Sequence, residues 1–336
     1  FFKSFKNIVV KAFRINKFRK NFSNKFNKHL SLFLSPELRN VYCVVFDWGE
    51  INRNGFQDAK YLSIPNICLP HGLNIFKNMD VNSHILDIKN RTGRWPDHSS
   101  RNKFDAYIFQ SQRHLLQACE WGHDPKKTFF WGSARFDPKW CLKNLELLKN
   151  SNTKKRGNSK LLISFFLPHW SYNVDYETTI DAIKKIIEDK SILLVIKGHT
   201  RGTGSISIDT FHEFEKFNNI IINSKEHSPI LIQSSDIVIN FGSSIGIEAI
   251  IQNKIVINPT YLHKNQTIFN DSKLVYNAKS ENDLIELIQK VKSNELGKIN
   301  LNEKEKFMQR EVYAGNKKDI PNSYFKKIKL LSSLDV

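Results

Sequence analysis

The sequence predicts an α/β protein of two doubly wound domains behind a basic amphipathic helix. Three observations predict it. From about residue 41 onward, apolar runs of strand length alternate with amphipathic helical segments. A polar stretch rich in Asn, Ser and Lys interrupts that rhythm before residue 160, and the rhythm then restarts. Ahead of both, residues 1–36 carry many Lys, Arg and Phe and no acidic residue at all. Continuous apolar strands separated by helices belong to parallel sheets covered on both faces, and 336 residues suffice for two domains.

Composition narrows the class. With 40% hydrophobic and 25% charged residues the chain is an ordinary globular protein. It holds no apolar run long enough to span a bilayer. Cys43, Cys68, Cys119 and Cys141 form no Cys-x-x-Cys pair and fit no zinc spacing, so a reducing, cytoplasmic compartment is expected. The chain opens on Phe, its first segment lacks the apolar core and cleavage site of a signal peptide, and a fragment, with its first domain either whole or truncated, is expected. The net charge of +18 favours an anionic partner: nucleotide phosphates, nucleic acid or anionic lipid.

In residues 1–36, Phe2, Phe5, Val9, Phe13, Phe18, Phe22, Phe26, Leu30 and Phe33 recur mostly at three- and four-residue steps. That is a basic amphipathic helix. Its stripe either enters the headgroup boundary of an anionic membrane or packs on the chain's own domain. Nucleic acid is not expected as a partner, because no recognised nucleic-acid module follows. Residues 37–150 then read as an acceptor-side domain. VYCVVFDW is a strand, NRNGFQDAKYLS a helix, and IPNICLPHG a strand closing on Pro-His-Gly. FDAYIFQS is a strand, SQRHLLQACEWG a helix ending at Gly122, and KTFFWGS a strand. From about Asp137 to Lys160 the pattern lapses into a linker.

Residues 151–300 read as a donor-binding domain. Its strands are KLLISFFLP, SILLVIKG, NIIIN, DIVIN and KIVINP. Its helices are DYETTIDAIKKIIEDK, IDTFHEFEKF, SPILIQSS, SSIGIEAIIQN and ENDLIELIQKVKS. Residues 301–336 form a helical tail. No internal repeat is apparent.

The run DIVINFGSSIGIEA carries the clearest chemistry. Ligands of open α/β sheets lie beyond the carboxyl ends of the strands. Gly242 lets the backbone turn and approach a ligand, and Ser243 and Ser244 open a helix whose free N–H groups suit a phosphate. Glu248, one turn on, can accept hydrogen bonds from a ribose diol. The plain alternative is a Ser N-cap with a Glu that favours a helix N-terminus.

These residues resemble the nucleotide-binding segment of GT-B glycosyltransferases. The order of LPHGLNIF, WGSARFD, LLISFFLPHW, IKGHTRG and FGSSIGIEA is similar to that in bacterial capsule and surface-polysaccharide transferases. The nearest resemblance is to the CDP-glycerol glycerophosphotransferase branch, over residues 41–259. It implies two Rossmann-like domains, a nucleotide-activated donor in the second, and a glycan or lipid-linked acceptor at the cytoplasmic membrane face. It carries His71, Arg135, His199, Ser243 and Ser244 onto this chain as site residues. Two departures favour a sugar nucleotide over a glycerol-phosphate donor. Pro168-His169-Trp170 stands for Thr-Trp-Arg, and Asn240-Phe241-Gly242-Ser243-Ser244 for Asp-Tyr-Ser-Ser.

His71 closes a strand, and its imidazole suits removal of a proton from an acceptor hydroxyl. Asp47 and Glu50 are rival bases. Lys197, His199 and Arg201 gather at one strand end and suit a diphosphate leaving group, with Arg135 adding a fork of donors from the opposite domain. A solvated basic loop is the plain reading of that cluster. No Asp-x-Asp triplet occurs, so neither metal nor other cofactor is expected. His114, His123, His169 and His227 lack ligand spacing and read as structural or exposed. The expected function is transfer of a sugar or alditol phosphate, by a peripheral protein of the inner membrane face. The rivals are a non-hydrolysing sugar-nucleotide 2-epimerase and a non-catalytic nucleotide-binding membrane protein.

Overall fold

The computed structural model describes residues 43–46, 56–61, 63–70, 72–78, 83–148, 161–169, 173–199, 211, 214–222, 226–297, 299–315 and 319–333. The expected basic helix of residues 1–36 lies outside them. In chain order the elements begin with β1 (Val44–Phe46), α1 (Phe56–Tyr61), β2 (Asn66–Cys68), α2 (Ser83–Thr92), β3 (Ala106–Phe109), α3 (Gln112–Glu120), β4 (Thr128–Phe130) and α4 (Pro138–Leu148). They continue with β5 (Leu161–Phe166), α5 (Tyr176–Glu188), β6 (Ile192–Lys197), β7 (Ile220–Ile222), α6 (Ser228–Ser234) and β8 (Ile237–Asn240). The last are α7 (Ile245–Ile251), β9 (Ile255–Pro259), β10 (Tyr276–Ala278), α8 (Glu281–Lys292), α9 (Leu301–Glu311) and α10 (Ile320–Ser333).

The chain divides into two compact units. Of the described residues, those before Gly72, those in Asp97–Trp131 and those from Ile320 onward form the first; those in Gly72–Pro96 and Gly132–Asp319 form the second. The division falls at Gly132, where composition had suggested residue 150. The first unit holds a parallel sheet of order β1-β2-β3-β4. Phe46, Phe56 and Phe104 meet edge to face on it at 4.9 to 5.8 Å and bury Cys68 among them. Helix α3 ends as the sequence predicts. Gly122 takes φ +95°, its N–H donates to the Cys119 carbonyl, and the His123 N–H donates to the Ala118 carbonyl. This is the double hydrogen bond of a Schellman end. Helix α10 packs Tyr324 edge-on against Trp131 at 5.3 Å.

The second unit holds a six-stranded parallel sheet of order β10-β9-β8-β5-β6-β7. The chain winds outward from β5 to β7, then crosses back so that β8 pairs with the other side of β5. That order has its topological switch between β5 and β8. Apolar residues cover both faces: Ile163, Phe165, Leu194, Ile239 and Ile257 on one, Phe166, Val195, Val238 and Val256 on the other. Both faces are therefore buried, as continuous apolar strands require.

Each sheet sets a register with an aspartate just before a strand. Asp105 accepts from the Asn66 N–H at 2.7 Å and donates its own N–H to the Asn66 carbonyl. Asp236 does the same with Leu162, accepting at 2.8 Å. Helix α4 lies where the sequence suggested the start of a linker. Asp137 accepts from the N–H groups of Lys139 and Trp140, with Pro138 as the first helical residue, a strong start signal. Its outer face exposes Trp140, Leu142 and Leu147, which blurs the amphipathic pattern.

Candidate functional site

The switch point places the carboxyl ends of β5, β6 and β8 side by side in the second unit. Beyond β8 the chain turns through Phe241 and Gly242. Phe241 is fully buried, edge-on to Phe165 at 5.8 Å, which pins the turn to the core. Gly242 has φ +69°, a conformation that L side chains adopt only under strain. The Asn240 amide, wholly buried, donates to the Ser243 carbonyl at 2.9 Å and holds the turn from beneath. The Ser243 hydroxyl accepts from the Ile245 N–H at 3.3 Å. Ser244, at the N-cap of α7, makes no side-chain capping bond. The plain capping reading of Ser244 therefore does not describe this turn.

Glu248 lies in the first turn of α7, where its Oε1 accepts from Arg135 Nη2 at 3.0 Å. The carboxylate side chain is 13% exposed, the guanidinium 55%. Burial raises the Glu248 pKa, and Arg135 opposes that rise. A solvated guanidinium attracts too weakly to offset the lost hydration. Arg135 sits in a short 3-10 turn, Ala134–Phe136. Ser133 N–H donates to the Val312 carbonyl, Tyr313 Oη donates to the Phe136 carbonyl, and Phe136 is wholly buried. Arg135 thus belongs to the second unit, and its expected place on the opposite domain is corrected. The neighbouring Cys141 thiol is pushed up to about 11 by burial and by Glu248, so it is no nucleophile.

Lys197 ends β6 as a buried residue whose Nζ donates to the Glu226 carbonyl. Burial lowers its pKa. Its ammonium braces the segment after β7, whereas the sequence suggested a cation for the diphosphate leaving group. His199, two residues beyond β6, is exposed, and its ring meets that of His169 edge to face, with centroids 5.6 Å apart. His169, three residues beyond β5, had been read as structural or exposed. The sequence repeats one tripeptide, Leu69-Pro70-His71 and Leu167-Pro168-His169, directly after the residues of β2 and β5. His71, Arg201, Asp47 and Glu50 lie outside the described residues. Among the described residues, no group of three His, Cys, Asp or Glu side chains is placed to hold a metal ion.

No protein-family model and no curated protein sequence matches the chain. Solved structures do. UDP-GlcNAc 2-epimerase from Neisseria meningitidis bound to UDP-GlcNAc superposes with a TM-score of 0.54 at 15% identity, over 93% of this chain and 82% of that one. A glycosyltransferase from Rickettsia africae gives 0.51 at 14% identity, over 94% and 83%. An Anabaena protein in complex with UDP and glucose gives 0.51 at 13% identity, over 91% and 82%. The fold is GT-B. At these identities the similarity is one of fold. Among the described residues, no helix of this GT-B chain is long and apolar enough to cross a membrane.

Proposed function

We propose that this chain is a transferase moving a sugar, or an alditol phosphate, from a nucleotide donor to a growing surface polysaccharide or lipid-linked acceptor. One observation carries the reading: Gly242, Ser243 and Ser244 follow β8 and His199 follows β6, the two strands that flank β5 at the switch point, where open α/β sheets hold nucleotides. In this reading the serine turn and His199 hold the donor phosphates, and Glu248 Oε2 accepts from the ribose. Arg135, steadied by Glu248, offers its remaining N–H groups to the same phosphates. Lys197 holds the floor of the site, and Arg201 adds charge. For a sugar donor, His71 takes the acceptor proton as the acceptor oxygen attacks the anomeric carbon, and the bond to the diphosphate breaks with its electron pair leaving on the diphosphate. For an alditol phosphate the oxygen attacks the distal phosphorus and nucleoside monophosphate leaves with the electron pair. The cations replace a metal, so turnover should survive excess EDTA. Recovery of a lost activity by magnesium or manganese would sink that part.

The similar structures solved with UDP, UDP-GlcNAc or UDP and glucose support a nucleotide-activated donor. The choice between sugar nucleotide and the CDP-glycerol branch rests on the two sequence departures at residues 168–170 and 240–244. Basic residues 1–36 support a membrane-surface acceptor and a peripheral place at the inner membrane face. A 2-epimerase is the second reading, favoured by the similarity to the Neisseria enzyme. Incubation with labelled UDP-GlcNAc or CDP-glycerol, with and without membrane acceptor, separates the readings. Label entering polymer or lipid only when acceptor is present supports a transferase. An epimeric nucleotide sugar formed without acceptor supports the epimerase, and binding without turnover the non-catalytic alternative.

A further inference from the structure

We infer that His169 and His199 form a two-imidazole subsite for the diphosphate of the nucleotide donor. The inference rests on the nucleotide-dependent reading above. His169 follows β5 and His199 follows β6, and these strands are paired along six residues from Leu161↔Ile192 to Phe166↔Lys197. Both side chains therefore leave the sheet at the same edge, one strand apart. Their ring planes are perpendicular, with centroids 5.6 Å apart. A side-chain carbon at Gly242 would lie 3.7 Å from Pro168 Cβ, so the residue preceding His169 lies beside the turn that carries Ser243 and Ser244. The ring contact sets His169 beside His199, and its neighbour Pro168 lies near the serine turn.

An imidazole has at least one N–H donor whether neutral or charged. Two imidazoles set at right angles present donors from different directions, which suits an anion with several oxygens better than a single planar carboxylate. His169 is half-buried, where a hydrogen bond to an anion is screened less than in open water. Donors held there before reaction also gain most as charge grows on the departing diphosphate. The competing account is that His169 only packs its ring against His199.

Titration calorimetry of the whole chain with UDP and CDP, and with UMP and CMP, tests this. The wild-type chain should bind one of the diphosphates. His169→Ala should weaken that binding roughly tenfold or more, the range of a hydrogen bond to a charged group, with a smaller effect on the monophosphate. His169→Phe keeps a ring without its donors and should behave like His169→Ala. His169→Asn keeps an N–H donor and should recover part of the affinity. Restoration by Phe, or an equal loss for monophosphate and diphosphate, would assign a packing role and overturn the subsite. Unchanged diphosphate affinity in a His169→Ala chain of normal melting would also overturn it, leaving the donor reading standing. Failure of the wild-type chain to bind any of the four nucleotides would overturn both.

Discussion

At Glu248 two effects pull the carboxyl in opposite directions, and their balance makes a prediction. Burial raises its pKa and Arg135 lowers it, with burial the larger. Removing Arg135 leaves the buried charge without its cation, so the folded-state pKa rises further above the unfolded value of about 4.3. A folded carboxyl that holds its proton more tightly than the unfolded one loses stability as pH rises through that window. Arg135→Ala should therefore cost more at pH 7 than at pH 4.5, whereas an Arg135→Ala, Glu248→Gln double variant should lose that difference. Urea unfolding at the two pH values measures it, and equal costs would show that Glu248 does not feel Arg135. Glu248→Gln alone should weaken nucleotide binding by about 1–3 kcal/mol in a folded chain, the scale of a hydrogen bond to a charged group. Gly242, Ser243, Ser244 and Glu248 were legible because their spacing follows from a strand, a turn and one helical turn. The home of Arg135 was not, since a sequence does not say on which core Phe136 is buried. Lys197 misled for a related reason: strand-end lysines usually reach water, and the Glu226 carbonyl that holds this one is 29 residues away.

Elements constrain one another where side chains leave no slack. Gly246 lies in α7, and a side-chain carbon there would come within 2.7 Å of Phe269 Cζ and 3.1 Å of Asn240 Nδ2. Phe269 is almost wholly buried and stacked with Phe307 at 6.2 Å, so it has little room to retreat. Gly246→Ala should destabilise the second unit by about 1–3 kcal/mol, the usual cost of overpacking, despite the better helix propensity of Ala. A Phe269→Leu partner should return part of that loss in urea unfolding; a Gly246→Ala chain as stable as the parent would remove the clash. Between β3 and α3 the constraint is electrostatic. His123 meets Tyr107 and Phe109, His114 meets Phe109 and His98 meets His123, with Arg101 and Arg113 nearby. Burial, with Arg101 adding to it, lowers His98 and His123 to about 4, and burial with Arg113 lowers His114 to about 3. The unfolded chain then binds more protons than the folded one between about pH 4 and 6.5, so stability should fall as pH drops through that window and stay level above it. Melting temperature against pH checks this, and His123→Phe should make the fall shallower. Strands were legible from their unbroken apolar runs. The strand Tyr276–Ala278 was passed over because it is only three residues long and half-buried for two of them.

For the whole molecule, the doubly wound architecture was readable because strand and helix periods differ and alternate without ambiguity. The strand order was not, since crossing from β7 back to β8 depends on contacts far apart in sequence. Charge is the other whole-chain property, and residues 1–36 concentrate it with a phenylalanine stripe and no acid to offset it. We expect this segment to bind anionic membrane, its cations collecting at the charged surface while phenylalanines enter the headgroup boundary. The attraction is partly Coulombic, so it should weaken as salt shortens the screening length from about 10 Å at 0.1 M to about 3 Å at 1 M. Neutral vesicles should hold the chain poorly, because a phenylalanine stripe without surface charge supplies only part of the binding. The competing account packs the stripe on the first unit, where its removal would expose apolar surface and lower stability. Deleting residues 1–36 and following both vesicle co-sedimentation and melting distinguishes the two. Sedimentation lost at unchanged melting supports the membrane role, whereas sedimentation retained, or a fold that collapses without the segment, assigns the phenylalanines to the protein's own core.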